Sequence, residues 1–178
     1  APTAQTQSQA AENLTLANYS GTRTGYTLAG WNTLATGLGT HYDLGETLTP
    51  TSSFTLYAQW NSTITYDSNT ATSGTVPSST TAVGSGAQTT IATNSGTLAR
   101  TGYTFGGWNT RADGAGTNYT AGLTTYSSPG DITLYAQWTA VISFNLNGAD
   151  TGTVPSSVTT TGTGNGTFNL PNPTNVKK

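Results

Sequence analysis

The sequence predicts a mostly β protein built from repeats, and three observations carry that reading. Gly-Tyr-Thr-Leu-Ala-Gly-Trp-Asn-Thr (Gly25 to Thr33) returns as Gly-Tyr-Thr-Phe-Gly-Gly-Trp-Asn-Thr (Gly102 to Thr110), 77 residues further on, and self-similarity at a fixed period marks a repeat architecture. Between the turn-rich stretches, apolar and polar side chains alternate with a period of two, which sends successive residues to opposite faces of a strand. No window of about 11 residues shows the 3.6-residue apolar periodicity of a helix.

Taken in order, residues 1–13 are polar and weakly patterned, and read as a linker-like tail or a donated edge strand. Tyr26, Leu28 and Gly30 alternate with Thr27, Ala29 and Trp31, a strand in which Gly30 leaves room for an approaching backbone or ring. Phe54, Leu56, Ala58 and Trp60 share one face of the next strand, with Thr55 and Gln59 facing away. Ile132, Leu134, Ala136 and Trp138 repeat that pattern 78 residues later, so a single residue has been inserted between the two phrases. Ile64 with Tyr66, and Ile142 with Phe144, begin further strands close behind the tryptophans. The segments around Asp67 to Gly74, Arg111 to Thr117 and Leu146 to Gly152 are turn chemistry, because Asn, Asp and Gly accept positive φ at little cost.

Upstream, Leu16 to Tyr26 answers Ile91 to Tyr103 with two residues missing; downstream, Ile64 to Thr81 matches Ile142 to Thr159. The chain then divides into the latter half of a repeat (14–60), a complete repeat (61–138) and the opening half of another (139–178). A module of this size has a small core. Its candidate core is the repeated set Tyr26, Trp31, Leu56, Tyr57 and Trp60, answered by Tyr103, Phe105, Trp108, Leu134, Tyr135 and Trp138. Each large side chain, fully buried, contributes about 1.5 to 3 kcal/mol. The recurrence of the same rings among the same neighbours favours packing over an aromatic binding platform.

Only 7% of the residues are charged, and the net charge is -2 with five basic side chains. That gives no positive field for phosphates or anionic lipid, so neither nucleic acid nor a membrane is an expected partner. The absence of cysteine removes disulfides, thiolate metal sites and thiol nucleophiles. No apolar run approaches the ~20 residues of a membrane-spanning helix. Two Lys and three Arg offer few sites to trypsin-like proteases, which suits an extracellular setting.

Gly-Tyr-Thr-Phe/Leu-x-Gly-Trp, followed some thirty residues later by Leu-Tyr-Ala-Gln-Trp and accompanied by Gly-Thr-Val-Pro, resembles the Listeria-Bacteroides repeat, the type also found as the B repeat of internalins. The resemblance covers nearly all of Leu14 to Lys178 and implies tandem β-grasp-like modules, each with a short helix, on secreted or wall-attached bacterial proteins. It implies a non-enzymatic stalk, spacer or adhesive surface with no cofactor. This sequence departs from the pattern in being Gly-rich between Asn109 and Leu123 and in replacing many charged positions by Thr, Ser and Asn.

Three motifs invite a chemical reading. His41, Asp43 and Glu46 place the chain's only imidazole near two carboxylates, as a metal site or a general base would require; the second copy has Asn118 and Thr120 at the first two positions, which favours a solvated loop. Asn145, Asn147 and Asp150 faintly resemble a calcium loop but lack its carboxylate count and closing Glu, which favours a hairpin turn. Asn-x-Ser/Thr triplets at Asn13, Asn18, Asn61, Asn118 and Asn165 are expected by chance in so Asn- and Thr-rich a chain.

The two half-repeats are complementary. One reading is a subunit of an extracellular fibre that self-associates head to tail into a homopolymer. In it Ile142, Phe144, Val154, Phe168 and Leu170 of one copy complete the N-terminal half-repeat of the next. The other reading is an adhesin or ligand-binding slice of a longer tandem-repeat surface protein, whose glycan or protein ligand the uncharged loops do not name.

Overall fold

The computed structural model describes residues 13–16, 19–84, 88–148, 150–162 and 174–177. In chain order the strands are β1 (Leu14–Thr15), β2 (Thr27–Asn32), β3 (His41–Tyr42), β4 (Thr47–Leu48), β5 (Tyr57–Asp67), β6 (Thr80–Ala82) and β7 (Gln88–Thr89). They continue with β8 (Thr104–Asn109), β9 (Asn118–Tyr119), β10 (Tyr126–Ser127), β11 (Ile132–Ile142), β12 (Thr151–Thr153), β13 (Val158–Gly162) and β14 (Thr174–Lys177). The protein is mostly β, with no helix among the described residues. Between Asn109 and Leu123, where the family resemblance implies a helix, the chain makes turns and the two-residue β9. Gly114 and Gly122 sit at φ 78° and 83° there, in the left-handed region that a right-handed helix does not use.

Two compact units form. The first gathers the described residues up to Thr65 with those of Ser79–Thr90 and Thr124–Ile132. In it β2 lies between β3 and β5, β5 pairs with β6, β1 with β4, and β7 with β10, all antiparallel. The Ser128 to Asp131 corner fastens onto the start of the repeated phrase: Tyr26 Oη donates to the Ser128 carbonyl at 3.3 Å, and Asp131 N–H to the Gly25 carbonyl at 2.6 Å. The second unit holds Tyr66–Ser78, Ile91–Leu123 and the described residues from Thr133 onward. In it β8 lies between β9 and β11, β11 pairs with β13, and β12 with β14.

The register is written twice. Leu28 faces Trp60, Trp31 faces Ala58 and Asn32 faces Tyr57; Phe105 faces Trp138, Trp108 faces Ala136 and Asn109 faces Tyr135. Both pairings slip by one residue in the same place, at Ala29 and at Gly106, making a β-bulge. The bulge corrects the strict alternation expected from sequence, which set Trp31 on the face opposite Leu28. An unpaired residue between them returns Leu28 and Trp31 to one face, and likewise Phe105 and Trp108, whose rings meet edge-on with centroids 5.2 Å apart. Gly30 and Gly107 follow the bulge at φ 142° and 110°, and a β-carbon there would lie 2.5 Å and 2.8 Å from the carbonyl oxygens of Tyr42 and Tyr119. The close backbone approach expected at Gly30 is thus present in both copies.

Other pairings place the inserted residue. Leu16 N–H reaches the Glu46 carbonyl and Ile91 N–H the Leu123 carbonyl, each at 2.8 Å and 77 residues apart on the acceptor side. Leu14 pairs with Leu48 and Thr89 with Tyr126, already 78 apart. The extra residue therefore lies between Leu123 and Tyr126 of the second copy, where the first copy runs from Glu46 to Leu48.

The core of the first unit holds Leu16, Trp31, Ile64, Ala82 and Tyr126; that of the second holds Tyr66, Ile91, Leu98, Trp108, Leu134, Ala136 and Trp138. Gln59 and Gln137, expected to face away from the apolar side, do so and are nevertheless buried. Each Nε2 donates to a loop carbonyl, Leu34 (3.5 Å) or Arg111 (3.3 Å), and to the carbonyl two residues back. The loop after the repeated phrase folds over that face and covers it. Strand β5 begins at Tyr57, so Phe54 and Leu56 precede it; Phe54 is exposed and lies 6.5 Å from the Tyr42 ring.

Candidate functional site

The most developed constellation lies where the opening segment of the second repeat meets its own tryptophans. Asn69 N–H donates to Asp67 Oδ1 at 2.7 Å, a tight Asx turn that holds Asn69 at φ 43°, a conformation asparagine tolerates. From that turn Asn69 Nδ2 donates to the carbonyls of Ala136 (2.7 Å) and Ala112 (2.8 Å), and the Asn69 carbonyl accepts from Trp138 Nε1 at 2.7 Å. Two residues before the turn-forming Ser68, the Tyr66 ring packs on Trp108 with centroids 4.7 Å apart, and its hydroxyl accepts from Ala92 N–H at 2.8 Å. Trp108 Nε1 donates to the Ala92 carbonyl at 2.8 Å, while Phe105 sits edge-on to both indoles. Both tryptophans are at most 1% exposed, and both ring nitrogens are satisfied.

The first copy of the phrase has the same strands and a different cover. Tyr19 lies across Trp31 and Trp60, at centroid distances of 6.0 and 6.2 Å. Trp60 is only half-buried, and Trp31 Nε1 is buried without a hydrogen-bond partner. A buried donor left unpaired costs about 1 to 3 kcal/mol. No counterpart of Tyr66 or Asn69 covers these rings among the described residues.

The third copy of the opening segment repeats the turn in an open setting. Asn147 N–H donates to Asn145 Oδ1 at 2.7 Å and Asn147 stands at φ 49°, the geometry of the Asp67–Asn69 turn. Strand β11 pairs with β13 in the register of β5 with β6: Ile142 faces Val158 as Ile64 faces Thr80. Yet Asn147 is exposed where Asn69 is 7% exposed, and Ile142 and Phe144 are half-buried where Ile64 is fully buried. Val141 and Val154 are exposed, and Phe168 and Leu170 lie outside the described residues.

Of the remaining candidate core residues, Tyr26, Leu56, Tyr103, Phe105 and Tyr135 are half-buried, Tyr57 is exposed and Leu134 is fully buried. Sequence reasoning missed several residues that organise the module. Asn32 and Asn109 use Oδ1 to accept from two loop N–H groups each, at Leu34 and Gly39 and at Arg111 and Gly116. Arg23 and Arg100 lie 3.9 and 4.1 Å over the rings of Tyr26 and Tyr103. The signal was present, since Gly-Trp-Asn and Arg-Thr-Gly-Tyr both recur.

The motifs with a chemical reading are surface turns. His41 Nε2 lies 3.3 Å from Asp43 Oδ1 with both side chains exposed, and Glu46 Oε2 accepts from Asp43 N–H. Among the described residues no group of three His, Asp or Glu side chains is arranged to hold a metal. Asn145 Oδ1 is engaged in its own turn. A groove of about 310 Å³ lined by Phe105 to Gly107 and Asn118 to Ala121 contains no carboxylate, imidazole or amine. The Ala115 N–H and then the Arg111 guanidinium, 2.6 Å away, hold the Asp113 carboxyl below the usual aspartate value.

This geometry defines a class, the mostly β repeat module whose recurrent residues serve packing and loop closure. The chain belongs to the Listeria-Bacteroides repeat family, whose sequence profile matches residues 2–59 and 63–137. The repeat is in general non-catalytic. Over 137 residues the chain is 36% identical to a protein of Evansella cellulosilytica named "Putative Gly-rich membrane protein", an alignment covering 71% of this chain and 16% of that protein. Over 96 residues it is 43% identical to a "Putative membrane protein" of the same organism, covering 52% and 14%. The chain thus spans under a fifth of the relatives it matches. No solved structure matches it. Among the described residues no helix is long and apolar enough to cross a membrane, which says nothing of a β-barrel.

Proposed function

We propose that this chain is a non-enzymatic structural module of a bacterial surface protein, a stalk or spacer outside the cell that associates with further copies head to tail. The observation that carries the reading is the recurrence of the bulged register, the Asn-closed loop and the Arg-on-Tyr stack in both copies, while His41, Asp43 and Glu46 occur in one. What recurs is what holds the module together. Membership in a repeat family, and relatives several times longer that are named as membrane proteins, support a place at the cell envelope. Head-to-tail association is supported by the unequal cover of the two tryptophan pairs. Sedimentation velocity and electron microscopy of the purified chain test it: concentration-dependent linear oligomers are expected, and a monomer at every concentration would refute self-association.

A ligand-binding role has one specific observation in its favour. Leu34, Leu38, Leu44, Phe54 and Tyr57 are all exposed on the first repeat, where the second has Arg111, Ala115, Ala121, Ile132 and Tyr135. Saturable binding to a glycan or protein array, lost on replacing Phe54 and Tyr57 by Ser, would support an adhesin; no binding would remove that reading.

A further inference from the structure

We infer that the Asn145–Asn147 turn is a preformed plug whose receptor is the Trp31–Trp60 face of a second copy, joined through the Trp60 indole N–H and the Asn147 amide. This deepens the head-to-tail reading above and rests on it. The argument is one of equivalent atoms. In the second repeat the contact is already made: Asn69 spends its carbonyl on Trp138 Nε1 and its amide on Ala136 and Ala112. At the same register positions the first repeat presents Trp60, Ala58 and Ala35. The plug carries Asn147 in the same Asx turn, with the same positive φ, on a strand pair of the same register, and here the residue is exposed.

The aromatic part of the contact matches as well. Phe144 occupies the position of Tyr66, whose ring covers Trp108, and on the receptor the matching indole is Trp31. Tyr19 now rests on Trp31 and Trp60 and is the ring that Phe144 replaces or joins there. Phe144 lacks the hydroxyl with which Tyr66 accepts from Ala92 N–H, so this contact makes one hydrogen bond fewer than its model within the second repeat. Neither surface carries a charge at these positions, so recognition is by shape, indole and amide.

The test uses two variants of this 178-residue chain. Asn147→Gly keeps the positive-φ turn and removes the amide from the plug; Trp60→Phe keeps a ring in the receptor and removes its N–H. Each is expected to weaken association about tenfold, the factor that corresponds to loss of one or two neutral hydrogen bonds. An equimolar mixture, in which the intact plug of Trp60→Phe meets the intact receptor of Asn147→Gly, is expected to give 1:1 dimers at concentrations where each variant alone stays monomeric and the wild type forms longer oligomers. Both variants assembling like the wild type would overturn the plug while leaving self-association standing. A wild type that stays monomeric, with a Trp60 indole ¹⁵N–H resonance unmoved by concentration, would overturn both.

Discussion

Trp138 Nε1 donates to the backbone carbonyl of Asn69 at 2.7 Å across 69 residues of sequence. That bond ties the last residue of the second repeated phrase to the first turn of the opening segment, and the Asn69 amide ties the same turn to Ala136 and Ala112. The second repeat is therefore closed by one asparagine that meets three partners.

Asn69→Gly retains the turn and the carbonyl but leaves the buried Ala136 carbonyl and the half-buried Ala112 carbonyl without this donor. At about 1 kcal/mol or more per lost bond, a loss of about 2 kcal/mol is expected in chemical denaturation. A change under about 0.5 kcal/mol would show that the amide bonds are incidental.

The bulge glycines are predicted to be far more sensitive than the turn glycine of the same phrase. At Gly107 a methyl group would meet the Tyr119 carbonyl at 2.8 Å with φ at 110°; at Gly102, φ 79°, it would meet nothing within 4 Å. Gly102→Ala is expected to cost about 1 kcal/mol for the backbone conformation alone. Gly107→Ala adds the clash and is expected to cost about 3 kcal/mol in all. Equal effects in thermal unfolding would contradict the bulge.

His41→Ala is expected to change stability by less than about 0.5 kcal/mol, since its partner Asp43 is exposed and such pairs contribute little. Denaturant titration at pH 7 checks this, and a larger loss would assign the pair a structural role.

The pH dependence of Asp113 has a definite sign. Its folded value lies below the ordinary 3.8, so its favourable contacts with Ala115 N–H and Arg111 are complete above 3.8 and are lost as the pH falls through the lower folded value. A carboxyl NMR titration of Asp113 should show a midpoint below 3.8. Arg111→Leu, which installs the residue found at the equivalent position of the first repeat, should raise it only part of the way, because the Ala115 bond remains. A wild-type midpoint at or above 3.8 would contradict the geometry.

The repeat and the strand content were legible because period-two alternation and self-similarity are one-dimensional signals. The bulge was not. Alternation alone assigns Leu28 and Trp31 to opposite faces, and a single unpaired residue, invisible without the partner strand, reverses that. The burial of Gln59 and Gln137 was hidden for a related reason: the second face of the strand is covered by a loop that Asn32 and Asn109 close, a non-local event. Asn69 was hidden in an ordinary turn motif, and only the position of Trp138 shows what the turn is for.

The central claim is that the opening segment closes over the tryptophans of the second repeat and leaves those of the first to Tyr19. Hydrogen exchange of the indole N–H protons in dilute wild-type protein tests it most directly. The Trp138 proton is expected to exchange with global unfolding and at least about 100-fold more slowly than that of Trp60. Equal protection of Trp60 and Trp138 would contradict the account.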